Sequence, residues 1–578
     1  MDSRTAAHVL DRIAEYLELN GESRFKARAY AQAARAVRAL GTDDLRPLLD
    51  DGSLEALPGV GPAAVSVVRD LVVDGDSRLL ERLRESTPEG MLDMLRVPGL
   101  GPSRIHGIHE ALGVDSLHEL EAAARDGRLA TVRGFGAKTA ARVLKGIAFL
   151  RTSDSLILYP HAEAEAARIL SAIREQPGVA RAEVAGELRR CMEVVRSIVV
   201  VAACTTSPSR VAAAVTMWPG VKDVLSEREC DARVRFVDGT LLDLRCVPES
   251  DFVVALWRAT GGREHVTAVS ARAATLGMSL VGDRLLDASG RSVAVPDEQA
   301  LYRLLHMDYV APELREGMGE VDAATSGEMP PLLEPADIRG VLHAHSHFSD
   351  GESTIEEMVN AARARGWSYL GITDHSQSAF YAGGLSRDGI LRQHEEIDRL
   401  NATMRDFRVL KGIEADILAC GRVDYDGQTL DSFDYVIGSV HSRFGMNEAR
   451  MTERVLKAMD DPHLTVLGHP TGRLLLAREP YAIDMHAVIE RAGERGVAVE
   501  LNADPHRLDL DWRLCRVARD RGVLVEIGPD AHSEHGLDNM RLGVSIARKG
   551  WLGATNVLNT RTADEVLSFA ATRRAAAS

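Results

Sequence analysis

No run of the chain approaches the ~18–20 consecutive apolar residues of a membrane-spanning helix, so no membrane span is expected. The opening MDSRTAAHVLDRIAEYL lacks a charged-then-apolar leader pattern and reads as an amphipathic helix. Cysteine is scarce. The 578 residues hold six, at 191, 204, 230, 246, 420 and 515, with no CxxC pair. That spacing argues against a disulfide framework or a zinc ribbon and points to a reducing, cytoplasmic setting. Positive charge is also short: Lys plus Arg is 69 against 85 Asp plus Glu, a net charge of −16, and only seven of the basic residues are Lys. An acidic total argues against a broad nucleic-acid-binding face. Residues 1–150 alone hold 20 basic and 22 acidic residues, so any grip on nucleic acid there rests on backbone geometry and local charge. The remaining composition, 45% hydrophobic and 27% charged, is that of a soluble protein with several domains.

Histidine is unevenly spread, with twelve of nineteen after residue 338. Imidazole is the commonest metal-binding side chain, so the clustering points to a metal site there. Residues 1–150 read as helical and carry one phrase three times: Leu-Pro-Gly-Val-Gly at 57–61, Val-Pro-Gly-Leu-Gly at 97–101 and Val-Arg-Gly-Phe-Gly at 132–136. The glycine pairs are Gly59 and Gly61, Gly99 and Gly101, and Gly134 and Gly136. Each phrase leads into a helical run whose free N–H groups and positive dipole end suit a phosphate. A tight turn between packed helices would need the same residues once; three copies favour DNA binding.

Residues 151–315 read as mixed α/β, with buried-strand runs such as VRSIVVVAAC and TLLDLRCV. The acidic, Gly- and Pro-rich stretch 316–337 reads as a linker. From 338 to 578 short apolar strands alternate with helices, and each strand ends on a ligand-type residue. IRGVL leads to His343 and His345 with Asp350 close behind, YLGIT to Asp374 and His375, and FRVLKGI to Glu414. YVIGSV leads to His441, LTVLG to His469, GVAVEL to Asn502, and GVLVEIGP to Asp530 and His532. Barrel enzymes place working groups at these strand ends because all of them converge on one mouth. Any one of these histidines alone would read as a surface or capped residue. The set is too large for one tetrahedral ion and suits two or three divalent cations poised for in-line attack on a phosphate.

The three glycine phrases resemble helix–hairpin–helix motifs of DNA repair proteins. They depart at Pro62-Ala63 and Pro102-Ser103, where such motifs often carry Lys; only Lys138 stands near the third copy. The first 320 residues resemble a family X DNA polymerase, whose palm carries Gly-Ser, two Arg, a Glu, then Asp-x-Asp on a strand and a third Asp beside it. Alternate strand residues share a face, so that pattern aims carboxylates at two Mg²⁺ ions. Here Gly186, Arg189, Arg190 and Glu193 keep the frame, the first three as nucleotide-pocket remnants, and Asp243 keeps the third carboxylate. Ser197 and Val199 stand where the two aspartates belong, and Glu187, Gly262 and Val266 replace polar residues. One aspartate cannot hold two Mg²⁺ ions, so the palm reads as impaired in DNA synthesis.

The last third resembles the polymerase and histidinol phosphatase (PHP) domain. The resemblance implies a metal site, filled by Zn²⁺ or Mn²⁺, at His343, His345, Asp350, His375, Glu414, His441, His469, Asp530 and His532, with Pro529 departing where Ser is common. Arg443, Arg473 and Arg507 follow strand ends as candidates to grip phosphate; the alternative is that each pairs with a carboxylate. Both halves in this order resemble a family X polymerase fused to a PHP 3′→5′ exonuclease. The expected architecture is multidomain: an all-α helix–hairpin–helix region (8-kDa-like and fingers-like), an α/β nucleotidyltransferase-like palm with thumb, and a distorted (β/α)7 barrel. The implied partner is DNA at gaps, primer–template junctions or single-stranded 3′ ends. Three other readings stay open: a bifunctional polymerase and exonuclease with an unusual palm metal site, a non-catalytic DNA-binding scaffold, and a phosphatase of small esters.

Overall fold

The computed structural model describes every residue except 2, 39, 41, 43, 96, 98, 99, 154, 155, 577 and 578. The chain divides into two compact units, Met1–Ser155 and Leu156–Ser578. Among the described residues no helix is long and apolar enough to cross a membrane.

The first unit is helical. Its apolar residues form two cores, one around Leu10, Ile13, Val37 and Val68, the other around Leu100, Ile105, Leu120 and Ile147. The helices after the glycine phrases are Pro62–Asp74, Pro102–Leu112 and Ala137–Ser153. Gly61 and Gly101 cap the first two, and the proline behind each presets the helical φ while giving up an N–H that no helix end would pair.

The second unit begins with a five-stranded sheet: β1 (Val179–Ala185), β2 (Ile198–Cys204), β3 (Val221–Arg228), β4 (Asp231–Phe236) and β5 (Leu241–Pro248), in the order β1-β2-β5-β4-β3. Only the β2–β5 pair is parallel. Strand alternation divides β2 between two cores. Ile198, Val200 and Ala202 face one with helix Tyr159–Arg174, while Val201 and Ala203 face the other with helix Phe252–Thr260.

The stretch 316–337, expected as a linker, is packed. It forms helix Glu320–Ser326, and Leu333 is buried in the barrel's core with its N–H donating to Leu552 O at 2.9 Å. Its acidic character misleads because Glu320 is not solvated. That carboxylate is fully buried, 2.7 Å from His265 Nδ1, and accepts from the Gly317 and Met318 N–H groups at 2.8 and 2.7 Å.

The remainder is a parallel barrel of seven strands in sequence order: β6 (Gly340–Val341), β7 (Tyr369–Ile372), β8 (Arg408–Asp416), β9 (Tyr435–Ser439), β10 (Leu464–Leu467), β11 (Ala498–Asn502) and β12 (Val525–Gly528). Past the last strand Ala531 bridges Ala344, and the His345 N–H donates to Ala531 O at 2.8 Å, which closes the ring. Along β7, Tyr369 points into the barrel interior, and Leu370 and Ile372 point out to the helix layer.

Candidate metal centre

The carboxyl ends of the barrel strands bring nine sequence-expected side chains together. His343 and His345 follow β6, His375 follows β7, Glu414 sits within β8, His441 follows β9, His469 follows β10, and Asp530 and His532 follow β12. Asp350 comes from the turn after His345. Three groups have ligand atoms all within 4.8 Å of one another: His345, Asp350, His375 and His532; His343, His345 and Asp530; His375, Glu414 and His441. His345 and His375, each a member of two groups, join the three into one cluster of ligand-type side chains.

Glu414 is its hub. One carboxylate oxygen lies 2.9 Å from His469 Nε2 and 3.3 Å from His441 Nε2; the other lies 2.9 Å from His375 Nδ1, 3.7 Å from His343 Nε2 and 3.8 Å from His345 Nε2. Such separations suit atoms that share a cation between them. His343 Nε2 and His345 Nδ1 are buried with no hydrogen-bond partner, a state that ligation would relieve. The floor is closed, with His343 and His345 fully buried, and the open side is formed by His532 and Asp350, whose side chains are 41% and 34% exposed.

The electrostatics suit cations. Burial alone would push the Glu414 carboxyl up, but the imidazoles of His441, His375 and His343 hold it well below the usual carboxylate range. Burial opposes charge on His375 and His441 too; carboxylates override it and bring them up to about 10 and about 9. Burial and the neighbouring His532 and His375 hold His345 down at about 4. Protons thus occupy positions that a cation would claim, so metal uptake here competes with protons.

Behind these lies a second layer, in which Asp374 and Asn502 were expected at strand ends while Glu500 and Asp416 went unread in the sequence. Glu500, two residues before the expected Asn502, accepts from His343 Nδ1 at 2.5 Å and from the His469 N–H. Asp416 accepts from His441 Nδ1 at 2.7 Å. Asp374 is buried and accepts from Ser346, Ser349 and Gln393. Asn502 Nδ2 donates to Asp530 at 3.0 Å. A carboxylate on the far ring nitrogen fixes the tautomer and leaves the near nitrogen free to ligate. The only available signal was the Glu two positions from a strand end, on the same strand face.

The three arginines part company. Arg507 Nε lies 3.7 Å from Asp530 at the cluster. Arg473 is committed to the protein: it donates to Arg507 O and to Asp511 at 2.9 and 2.8 Å, and also to Leu508 O. Arg443 is exposed, two residues beyond His441, with φ of 60°.

The palm remnants assemble differently. Val199 sits opposite Asp243 in the β2–β5 pairing, and it packs where a Cβ on Gly186 would meet its Cγ2 at 2.6 Å, so a methyl group fills the ground of a carboxylate. Asp243 is 3.2 Å from Arg233 on the neighbouring strand. Arg189 makes 2.8 Å bonds to Glu298 and Thr260, and Arg190 bonds Glu316 at 2.9 Å and Thr260 O at 2.7 Å. Glu193 faces Arg513 at 3.3 Å, and Asp231 faces Arg245 at 3.4 Å. Among the described residues no group of metal-type ligands forms in this sheet.

In the helical unit, Gly59 and Gly134 take φ of 90° and 86°, which a side chain would strain. A Cβ at Gly61, Gly101 or Gly136 would meet nothing within 4 Å, so these turns face open space. Lys138 is exposed in the first turn of its helix. Gly99 lies outside the described residues.

Known families match in the same order: a helix-hairpin-helix domain over residues 1–77, a SAM-like helix-hairpin-helix tandem over 91–148, the DNA polymerase beta thumb over 255–316 and the PHP domain over 342–504. The DNA polymerase/3′-5′ exonuclease PolX of Bacillus subtilis is 34% identical over 573 residues, covering 98% of this chain and 99% of that protein. A probable phosphatase of Caldanaerobacter subterraneus is 30% identical over 208 residues, 34% of this chain and 77% of its own length. Another, from Syntrophotalea carbinolica, is 27% identical over 243 residues, 39% of this chain and 94% of its own.

Proposed function

The chain belongs to the PolX family, in which family X polymerase modules are joined to a PHP domain, and from that premise we propose that its working centre is the barrel. It acts as a metal-dependent 3′→5′ exonuclease on DNA, and the palm serves as a frame for DNA with DNA synthesis impaired. The observation that carries this reading is the contrast between the two centres. The barrel gathers nine ligand-type side chains with Glu414 at their hub, while the palm places Val199 against Gly186 and pairs Asp243 with Arg233.

The centre takes two or three divalent cations, Zn²⁺ or Mn²⁺, through His343, His345, Asp350, His375, Glu414, His441, His469, Asp530 and His532. Such cations supply Lewis acidity toward phosphoryl oxygens and acidify water. The chain's own residues do the rest. Glu414 and Asp530 neutralise the cationic charge, and Glu500 and Asp416 orient His343 and His441. Arg507 and Arg443 offer guanidinium groups to the DNA phosphates near the mouth. The glycine turns and Lys138 hold DNA through phosphate contacts that carry no sequence information. The domains run 1–150, 151–315 and 338–578, with 316–337 as a packed strap between the last two, and the protein works in the cytoplasm.

The probable phosphatases that match the barrel favour a second reading, hydrolysis of small phosphate monoesters; the helix–hairpin–helix matches speak for DNA. Purified chain with Mn²⁺ should shorten a labelled single-stranded 3′ end. His343→Ala and Asp530→Ala should each abolish trimming by removing a ligand. Undiminished trimming in both variants overturns the assignment of the site.

A further inference from the structure

Aromatic residues make up only 4% of the chain, yet two adjacent ones stand in solvent beside the metal centre. Phe380 is 85% exposed and Tyr381 63%. Single exposed apolar side chains are common and mean little. Position sets these two apart. The Tyr381 ring centroid lies 6.5 Å from that of the ligand His375, and Phe380 packs edge-on to Tyr381 at 6.0 Å.

The segment that carries the pair is tied at its base. Leu385 N–H donates to His375 O at 2.8 Å, and Ala379 N–H to Ser376 O at 2.9 Å. Tyr425 donates its hydroxyl hydrogen to Leu385 O and accepts from the Gln377 N–H at 2.9 Å; Asp424 accepts from the Ser378 N–H at 2.8 Å. The excursion from 376 to 385 is therefore fixed before any ligand arrives, so it can present rings without an ordering cost on binding. An exposed ring at a phosphodiesterase mouth meets the unpaired bases that flank the bond to be cut, and base stacking on an aromatic ring tolerates any base.

We propose that Phe380, backed by Tyr381, is a stacking platform for the unpaired terminal bases of a DNA 3′ end and sets the last phosphodiester over the metal centre. The inference rests on the exonuclease reading above. It assigns Phe380 a positioning role in binding, without a part in the chemistry.

The test uses the full-length protein and two readouts. First, metal-free protein is mixed with a single-stranded oligonucleotide bearing 2-aminopurine at its last or penultimate position. Wild type and Phe380→Trp should quench the probe on binding, and Phe380→Ala and Phe380→Leu should not. Second, with Mn²⁺, KM is compared for oligonucleotides with normal and abasic terminal nucleotides. Wild type should favour the normal end by about 5- to 150-fold in KM, the range of one base–aromatic stack, and Phe380→Ala should reduce that ratio below about twofold relative to the same scale. A wild-type protein that trims DNA without preferring the normal end, or a Phe380→Ala variant that keeps the wild-type ratio, overturns the platform and leaves the nuclease reading standing. A wild-type protein that does not trim DNA at all overturns both.

Discussion

Glu500→Gln is the sharpest probe of the metal centre. The Glu500 carboxylate is fully buried under the cluster, 2.5 Å from His343 Nδ1, and it also accepts from the His469 N–H. Holding the proton on Nδ1 leaves His343 Nε2 free, 3.5 Å from Asp530 and 3.7 Å from Glu414. Glutamine keeps the shape and one acceptor oxygen but removes the charge that makes the imidazole a strong donor to metal. Losing such a partner weakens metal binding by about 10- to 100-fold, or ~1.4–2.7 kcal/mol. Glu526 moderates the change. Burial first, and then the Glu500 charge, push its carboxyl up to about 8; Gln at 500 removes the second cause, so Glu526 regains charge in part. The expected loss therefore falls toward the lower end of that range. Glu500→Leu is less informative because it strands two buried N–H donors at ~1–3 kcal/mol each and threatens the fold. Bound Mn²⁺ or Zn²⁺ is measured by elemental analysis after equilibrium dialysis, and trimming is followed against metal concentration. Half-saturation should move to higher metal, and activity should recover at saturation. An unchanged half-saturation point in a folded Glu500→Gln protein would refute the role assigned to Glu500.

Three further predictions follow from other parts of the chain. In a His343→Ala background, which removes trimming, the protein should fail to extend a primed template with Mg²⁺ or Mn²⁺ and all four nucleotides; robust extension that Asp243→Ala then abolishes would show that other carboxylates serve the palm. Glu298, despite burial that alone would raise it, is held at about 2 by Arg315 and Arg189 against an ordinary 4.5, so wild type should exceed Glu298→Gln by ~3 kcal/mol at neutral pH. That margin is whole above pH 4.5 and disappears as pH falls through about 2, and a gap in urea midpoint unchanged from pH 7 to pH 2.5 contradicts the charge argument. DNA binding by the full chain should weaken steeply with salt, and Lys138→Ala should lower the salt slope by about 1; an unaltered slope removes Lys138 from the phosphate contacts.

Most of the candidate barrel ligands were legible because they close or follow a short apolar strand, and a residue just past a strand's carboxyl end has little choice of direction. The palm's missing aspartates were legible for the same reason, since alternate positions on β2 share a face. Glu500 escaped because it lies inside a strand that ends on Asn502, where sequence cannot tell a carboxylate under a ligand from one facing a helix. Arg473 read as a phosphate-gripping group or as a carboxylate's partner, and it takes the second course: it pairs with Asp511 and the Arg507 and Leu508 carbonyls, side by side only after folding. Composition misjudged residues 316–337, because the His265 that buries Glu320 is 55 residues away in the chain.

The seam that closes the barrel has a bearing on the protein's birth. Ala344 meets Ala531, and His345 meets Asp530 across 185 residues of chain. A growing polypeptide that has emerged only as far as β11 already carries its DNA-handling segments, yet has neither a closed ring nor Asp530 and His532. Contacts so distant in sequence form late, after nearby segments have collapsed. The candidate centre is thus assembled only once β12 has emerged and the seam has joined Ala531 to Ala344.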